Sequence, residues 1–248
     1  MNVLVLGGAG YVGSVLVPKL LMRGHHVTVY DTFWFGDYLR DHERLTKIKD
    51  DVRNGMTLKY AAYGCDVAIH LACISNDPGC ELHPDLARKI NLESFPNQVE
   101  IFEDAGVRRF IFASSASVYG VSDAPQVYED HPLLPVSDYN KFKAACEVVL
   151  QRSDLPFVII RPGTVCGFSP RLRLDLTVNL LTAQACVDRK ITVFGGRQYR
   201  PHIHIQELCD LYVALIDAKN VERETFNVSA VNASVRAVAE LVKEQIDK

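Results

Sequence analysis

The chain has 248 residues, 48% of them hydrophobic and 23% charged, with a net charge of −3. That length supports one large core, or one large domain with a small companion, and the weak negative charge argues against an electrostatic grip on nucleic acid. No apolar run approaches the ~20 residues of a membrane span. The seven cysteines are odd in number and contain no C-x-x-C pair. They read as reduced thiols of a cytosolic protein, and neither a disulfide frame nor a metal site is expected.

The apolar opening lacks the basic flank of a signal peptide and is cut short by glycines, so Asn2–Leu6 reads as a buried first strand. A helix is predicted over residues 14–23, ended by Gly24, and a second strand over 26–30, ended by Asp31. This is a βαβ unit. The pattern repeats with a strand at Val67–His70, a long helix at 85–104, a strand at 110–113, a helix at 137–152 and a strand at 157–161. Strands alternating with helices imply an α/β fold, a Rossmann-type doubly wound parallel sheet covered on both faces. The rhythm changes at Pro162, Gly163, Gly167 and Pro170. Beyond them a helix is predicted at 175–189, strands at 191–194 and 202–205, a helix from Gln206, a strand at 226–228 and a closing helix at 234–246. The division expected is a dinucleotide-binding domain over 1–165, to which later segments return, and a small substrate-binding region over 166–248.

Gly7-Gly8-Ala9-Gly10-Tyr11-Val12-Gly13 places Gly7, Gly10 and Gly13 at G-x-x-G-x-x-G spacing between strand and helix. Glycine permits the tight turn, the approach of a pyrophosphate and the packing of helix on strand, while the helix N-terminus offers free N–H groups. Asp31 ends the second strand, where a carboxylate accepts hydrogen bonds from the adenosine ribose and repels a 2′-phosphate. NAD is therefore expected over NADP.

Tyr139 and Lys143, about 130 residues further on, are four apart on one face of a predicted helix. A lysine cation beside a phenol favours phenolate, and an oxidised nicotinamide adds to the effect. The expectation is a tyrosine lowered towards neutrality that exchanges a proton with a substrate hydroxyl as hydride moves. Ser115, in Ser114-Ser115-Ala116-Ser117-Val118-Tyr119-Gly120, is placed to hydrogen-bond the same oxygen. Cys166 reads as a small filler, and His202 and His204, alternating along a strand, as structural. The run Phe33-Trp34-Phe35 covers the adenine end, covers the substrate mouth or simply packs. Asp77, Glu81 and His83 fall in a loop over the site.

Together these residues resemble the extended short-chain dehydrogenase/reductases, in particular the NAD-dependent sugar-nucleotide epimerase/dehydratase family. The resemblance covers nearly the whole chain. It rests on the glycine loop, Asp31, Asp51-Val52-Arg53, His70-Leu71-Ala72, Asn91, the serine-rich stretch, Tyr139 with Lys143, Arg161-Pro162-Gly163 and Arg200-Pro201-His202-Ile203-His204. It implies Ser115, Tyr139 and Lys143 as the catalytic group. It implies NAD held by Gly7, Gly10, Tyr11, Val12, Gly13, Asp31, Asp51, Val52, Leu71 and Ala72, with Tyr139 and Lys143. It places Ser117, Thr164, Asn179 and Arg200 toward a nucleotide-sugar substrate, with Asn179 and Arg200 at its diphosphate, and it implies a homodimer paired through the helices at 85–104 and 137–152.

Three departures shape the expected chemistry. Family dehydratases carry an Asp-Glu pair where Ala116 and Ser117 stand, and neither replacement can eliminate water. Thr164 stands where many 4-epimerases have a diphosphate-binding asparagine. The chain ends soon after Phe226-Asn227-Val228, where relatives continue, so a shortened substrate region is expected. The reading is an NAD-dependent epimerase acting at C4. A net NAD-dependent dehydrogenase or reductase and a non-catalytic NAD-binding protein stay open beside it.

Overall fold

The computed structural model describes residues 1–124 and 126–246. A seven-stranded, wholly parallel sheet forms its centre. Its strands are β1 (Asn2–Leu6), β2 (His26–Asp31), β3 (Leu45–Lys49), β4 (Val67–His70), β5 (Arg109–Ala113), β6 (Phe157–Pro162) and, much later in the chain, β9 (Glu224–Val228). They lie in the order β3-β2-β1-β4-β5-β6-β9. A second, three-stranded sheet orders β10 (Val231–Ser234), β8 (Tyr199–His204) and β7 (Thr164–Cys166), with β8 antiparallel to β10 and parallel to β7.

Helices cover both faces of the large sheet. On one face α1 (Gly13–Met22) and α8 (Ile205–Asp217) pack over Val3, Val5, Val27, Val29 and Ile69. On the other, α2 (Gly55–Ala62), α5 (Phe95–Asp104) and α6 (Asp138–Arg152) pack over Leu4, Leu6, Phe110, Phe112 and Ile159. Val3, Leu4, Val5 and Leu6 are each 1% exposed or less, as an unbroken apolar strand between two helical layers requires. Each such side chain contributes ~1.5–3 kcal/mol by leaving water. Although α8 and β9 come late in the chain, they complete the large sheet and its cover. The remainder, α7 (Thr177–Val187) and α9 (Val235–Ile246), packs through Leu181, Val238 and Ala239.

The expected long helix at 85–104 is divided. Helix α4 (Pro84–Arg88) runs into a single wide turn at Lys89–Glu93, and α5 then restarts with a proline in its first turn. Pro96 has no N–H to donate, which costs least in the first turn of a helix. The segment expected as a loop over 77–83 contains a short helix, α3 (Asp77–Leu82), capped by Asn76. The strand expected at 191–194 does not form. Ile191 and Val193 instead pack as irregular chain against α7 and α9.

Strand order reverses between β1 and β4, which opens a crevice at their C-terminal ends. The loops leaving the two strands are in contact there. Gly7 has φ +78°, and a Cβ on it would lie 2.6 Å from the Ala72 backbone nitrogen. A Cβ on Gly13 would lie 2.3 Å from the carbonyl oxygen of Gly8. Backbone occupies both positions, so these glycines are steric requirements of the crevice.

Candidate active site

A cavity of about 850 Å3 fills this crevice and extends over the C-terminal ends of β1, β2, β4, β5 and β6. Tyr11, Val12 and Gly13 line it at the first turn of α1, where helical N–H groups lack intrahelical partners. Gly7, Gly10, Leu71 and Ala72 line the same wall. Asp31 closes the end of β2. Its carboxylate accepts the N–H of Ala9 and that of Phe33, both at 2.9 Å. Asp51 and Val52 line the far end. The Arg53 guanidinium grips Asp51 at 2.8 and 2.7 Å and holds its carboxyl below the usual range.

Ser115, Tyr139 and Lys143 line the other end of the same cavity. Ser115 follows β5 and caps the one-turn helix Ala116–Tyr119. Its Oγ lies 2.7 Å from Ser117 Oγ, and Ser117 in turn donates to Asn140 Oδ1. Tyr139 and Lys143 stand one turn apart on α6, which Ser137 caps. Lys143 Nζ donates to the Ala113 carbonyl at 2.6 Å, sits 4.8 Å over the Phe112 ring and is 5.9 Å from the Tyr139 ring centroid.

The expectation that Lys143 lowers the Tyr139 phenol is corrected. Burial pushes the phenol well above its ordinary value, Cys73 adds to the rise, and the largest opposing pull comes from Arg173. Desolvation penalises phenolate more than the neighbouring cations favour it. In the chain alone burial therefore keeps Tyr139 protonated, and a cationic nicotinamide beside it would add to the downward pull of Arg173.

Beneath Lys143 lies His70, enclosed by Phe95, Phe110 and Phe112. Gln98 gives its amide hydrogen to Ser94 Oγ, so its Oε1 accepts the His70 Nε2–H at 2.8 Å. Burial first, and then Lys143, push the imidazole down to about 4. A group depressed from 6.5 stabilises the fold above pH 6.5 and loses that contribution as pH falls toward 4. The shift corresponds to about 3 kcal/mol. Unfolding free energy is therefore expected to fall with a slope near one proton across that window, and a His70→Asn variant should lose the slope. Urea titrations at a series of pH values measure it, and an unchanged slope in the variant refutes the assignment.

Ser117, Thr164 and Arg200 also line the cavity. Asn179 stands behind its wall. Its Oδ1 accepts from the Gly167 N–H at 3.0 Å, and its Nδ2 donates to the Tyr11 phenol and to the Arg173 carbonyl. The carboxamide therefore builds the wall and is not presented to a ligand. Asp77 lines the cavity, whereas Glu81 and His83 are exposed away from it. Trp34 and Phe35 flank its mouth and are more than half exposed. Cys166 lies outside the lining, its thiol pushed up by burial. His202 is 3% exposed, with neither ring nitrogen hydrogen-bonded.

Sequence reasoning missed Arg171, Arg173 and Asp175, together with Ser75 and Asn76, all of which line the cavity. The signal was present as Arg-x-Arg-x-Asp, charges on alternate residues of an irregular segment. It was hidden because a helix was expected from residue 175.

The sheet order, the glycine turn at the switch point and the Tyr–Lys pair beside it define a Rossmann-type, short-chain dehydrogenase/reductase-like protein. A sequence model of the NAD-dependent epimerase/dehydratase family matches residues 3–229. The uncharacterized UDP-glucose epimerase YtcB of Bacillus subtilis (strain 168) is 31% identical over 98% of this chain and 82% of its own length. The UDP-glucose 4-epimerase of Lactobacillus helveticus is 25% identical over 94% of this chain and 77% of its own. Among solved structures, the UDP-glucose 4-epimerase of Thermus thermophilus in complex with NAD superposes with a TM-score of 0.86 at 26% identity, covering 100% of this chain and 84% of that one. The chain belongs to the NAD-dependent epimerase/dehydratase family, and its cofactor is NAD. The residues fit that cofactor: a glycine turn that admits no Cβ, a helix N-terminus and a β2-terminal carboxylate share one elongated cavity. No helix among the described residues is long and apolar enough to cross a membrane.

Proposed function

We propose that the chain is an NAD-dependent nucleotide-sugar epimerase acting at C4, with a UDP-sugar as its first candidate substrate. One observation carries the reading. Ser115, Tyr139 and Lys143 share a cavity with the glycine loop, while the positions after Ser115 hold Ala116 and Ser117. No carboxylate stands there to remove water from the sugar, which disfavours 4,6-dehydration. The UDP-glucose epimerases among its relatives support the choice of nucleotide.

Bound NAD supplies a reversible hydride acceptor. In this reading Gly7, Gly10, Tyr11, Val12 and Gly13 cradle the pyrophosphate, with Leu71 and Ala72 along its path. Asp31 takes the ribose hydroxyls, and Asp51 and Val52 flank the adenine. Tyr139 accepts the proton of the reacting hydroxyl and returns it to the same oxygen after the keto-sugar has turned. Ser115 holds that oxygen, and Lys143, anchored on the Ala113 carbonyl, orders the catalytic end of the cofactor. Arg200 forks onto the diphosphate, and Thr164 and Ser117 contact the sugar. The test incubates the purified chain with UDP-, GDP-, CDP- and dTDP-sugars, resolves products by chromatography and follows absorbance at 340 nm. An isomeric product without net NADH is expected. NADH in proportion to substrate would replace the epimerase by a dehydrogenase.

A further inference from the structure

Residues 167–176, between β7 and α7, run over the cavity as an irregular strap, with Arg171, Arg173, Asp175 and Leu176 on its lining. Burial alternates along it: Ser169 is enclosed and Arg171 and Arg173 are partly buried, while Phe168, Pro170, Leu172 and Leu174 are exposed. The alternation holds as far as Arg173; Leu174 and Asp175 are both exposed.

The strap is fastened to three loops. In the loop after β1, Ser169 Oγ donates to the Tyr11 carbonyl at 2.7 Å, and the Tyr11 phenol donates back to the Gly167 carbonyl at 2.7 Å. In the loop after β2, the Phe35 ring lies 3.9 Å below the Arg171 guanidinium. In the loop after β4, Arg173 donates to Ser75 Oγ at 2.8 Å, and Asn76 Nδ2 donates to Asp175 at 2.8 Å. Arg173 and Asp175 are themselves paired at 2.5 Å, and the Arg173 side chain is 14% exposed. The stacking on Phe35 is the weaker tie, because that ring is 63% exposed.

The loops after β1, β2 and β4 are those that surround a dinucleotide at the switch point of this fold. A segment tied to all three lies across the exit of whatever they hold. We propose that Arg173 and Asp175, with Ser75 and Asn76, form a polar clasp that retains NAD between turnovers, making the cofactor a resident group of the protein. The inference rests on the reading of this cavity as the NAD site and is independent of which sugar is turned over. It bears on the reaction class. An enzyme that returns its hydride has no need to open the strap for the cofactor, whereas a net dehydrogenase must open it every cycle.

The test measures NAD entry and exit on the full chain. Trp34, the single tryptophan, lines the cavity mouth and reports association by its fluorescence. Radiolabelled NAD chased with unlabelled NAD reports dissociation. In Arg173→Met and Asp175→Asn, association and dissociation rates are both expected to rise about tenfold, the scale of a lost charged hydrogen bond. The equilibrium constant should change less than about threefold. Tyr11→Phe, which cuts the tie at the other end of the strap, should act in the same direction. Faster dissociation with unchanged association would mean direct contact with NAD and would overturn the clasp, as would rates equal to the parent's. A parent chain that binds no NAD defeats both the clasp and the site. Retained NAD without turnover of any sugar defeats the epimerase reading alone.

Discussion

Replacing Tyr139 by phenylalanine is expected to lower kcat by about 10²–10⁴-fold, the range that a positioned acid–base group contributes, while the fold and NAD binding survive. The ring stays and only the phenolic oxygen leaves, so packing in the cavity wall is unchanged. The pH dependence gives the sign. Burial holds the phenol protonated to high pH in the chain alone, and only the deprotonated form accepts the substrate's proton. Turnover limited by the oxidative half should therefore rise with pH until Tyr139 has ionised. The rising limb should be displaced to lower pH when NAD, rather than NADH, occupies the site, because the cationic nicotinamide favours phenolate. The phenylalanine variant should lose that limb. Steady-state kinetics across neutral and alkaline pH make the comparison. A variant within a few-fold of the parent would remove Tyr139 from the chemistry.

A Glu147→Ala replacement is expected to cost about 3–5 kcal/mol, what breaking a buried ion pair costs when one charge is left alone. Glu147 is fully buried and Arg161 is 4% exposed. Arg161 grips the carboxylate through Nε at 3.1 Å and Nη2 at 2.6 Å, and Ser114 donates to the same Oε1. The other guanidinium nitrogen donates to the Tyr119 phenol at 2.5 Å and to the Glu129 carbonyl at 2.9 Å. Tyr119 in turn donates to Asn227 on β9 at 2.7 Å. One pair therefore joins the helix bearing Tyr139 and Lys143, the strand end bearing Ser115, and the late strand β9. The double variant Glu147→Leu with Arg161→Met should recover much of the loss, since no charge is then stranded. Urea unfolding measures both. A single variant within about 1 kcal/mol of the parent would show that the pair is dispensable.

Much of the fold was legible locally. The strand at Val67–His70 and the helices near α1, α6 and α9 were readable because each is a short window whose apolar period matches its structure. The edge strand β3, Leu-Thr-Lys-Ile-Lys, was not read, because a polar edge gives a weak signal that only pairing with β2 supplies. The wide turn at Lys89–Glu93 and the missing strand at 191–194 escaped for a related reason: neighbouring elements decided them against local propensity.

Local spacing was enough to specify the glycine turn, the acid at the end of β2, and the placing of Tyr139 and Lys143 one turn apart, because a fixed interval along a strand, turn or helix dictates which side chains share a face; that Ser115 lines the same cavity was decided by the sheet. The rest came from long-range packing. It brought β9 and α8 back to the first sheet, turned Asn179 into the wall, and laid Arg171, Arg173 and Asp175 across the cavity. It also reversed the direction of the Tyr139 shift, because desolvation depends on what encloses a side chain and not on the residue four positions away. Contacts between segments about 100 residues apart, such as Asn76 with Asp175, leave no period in the chain, since their geometry exists only once the sheet has brought the strand ends together.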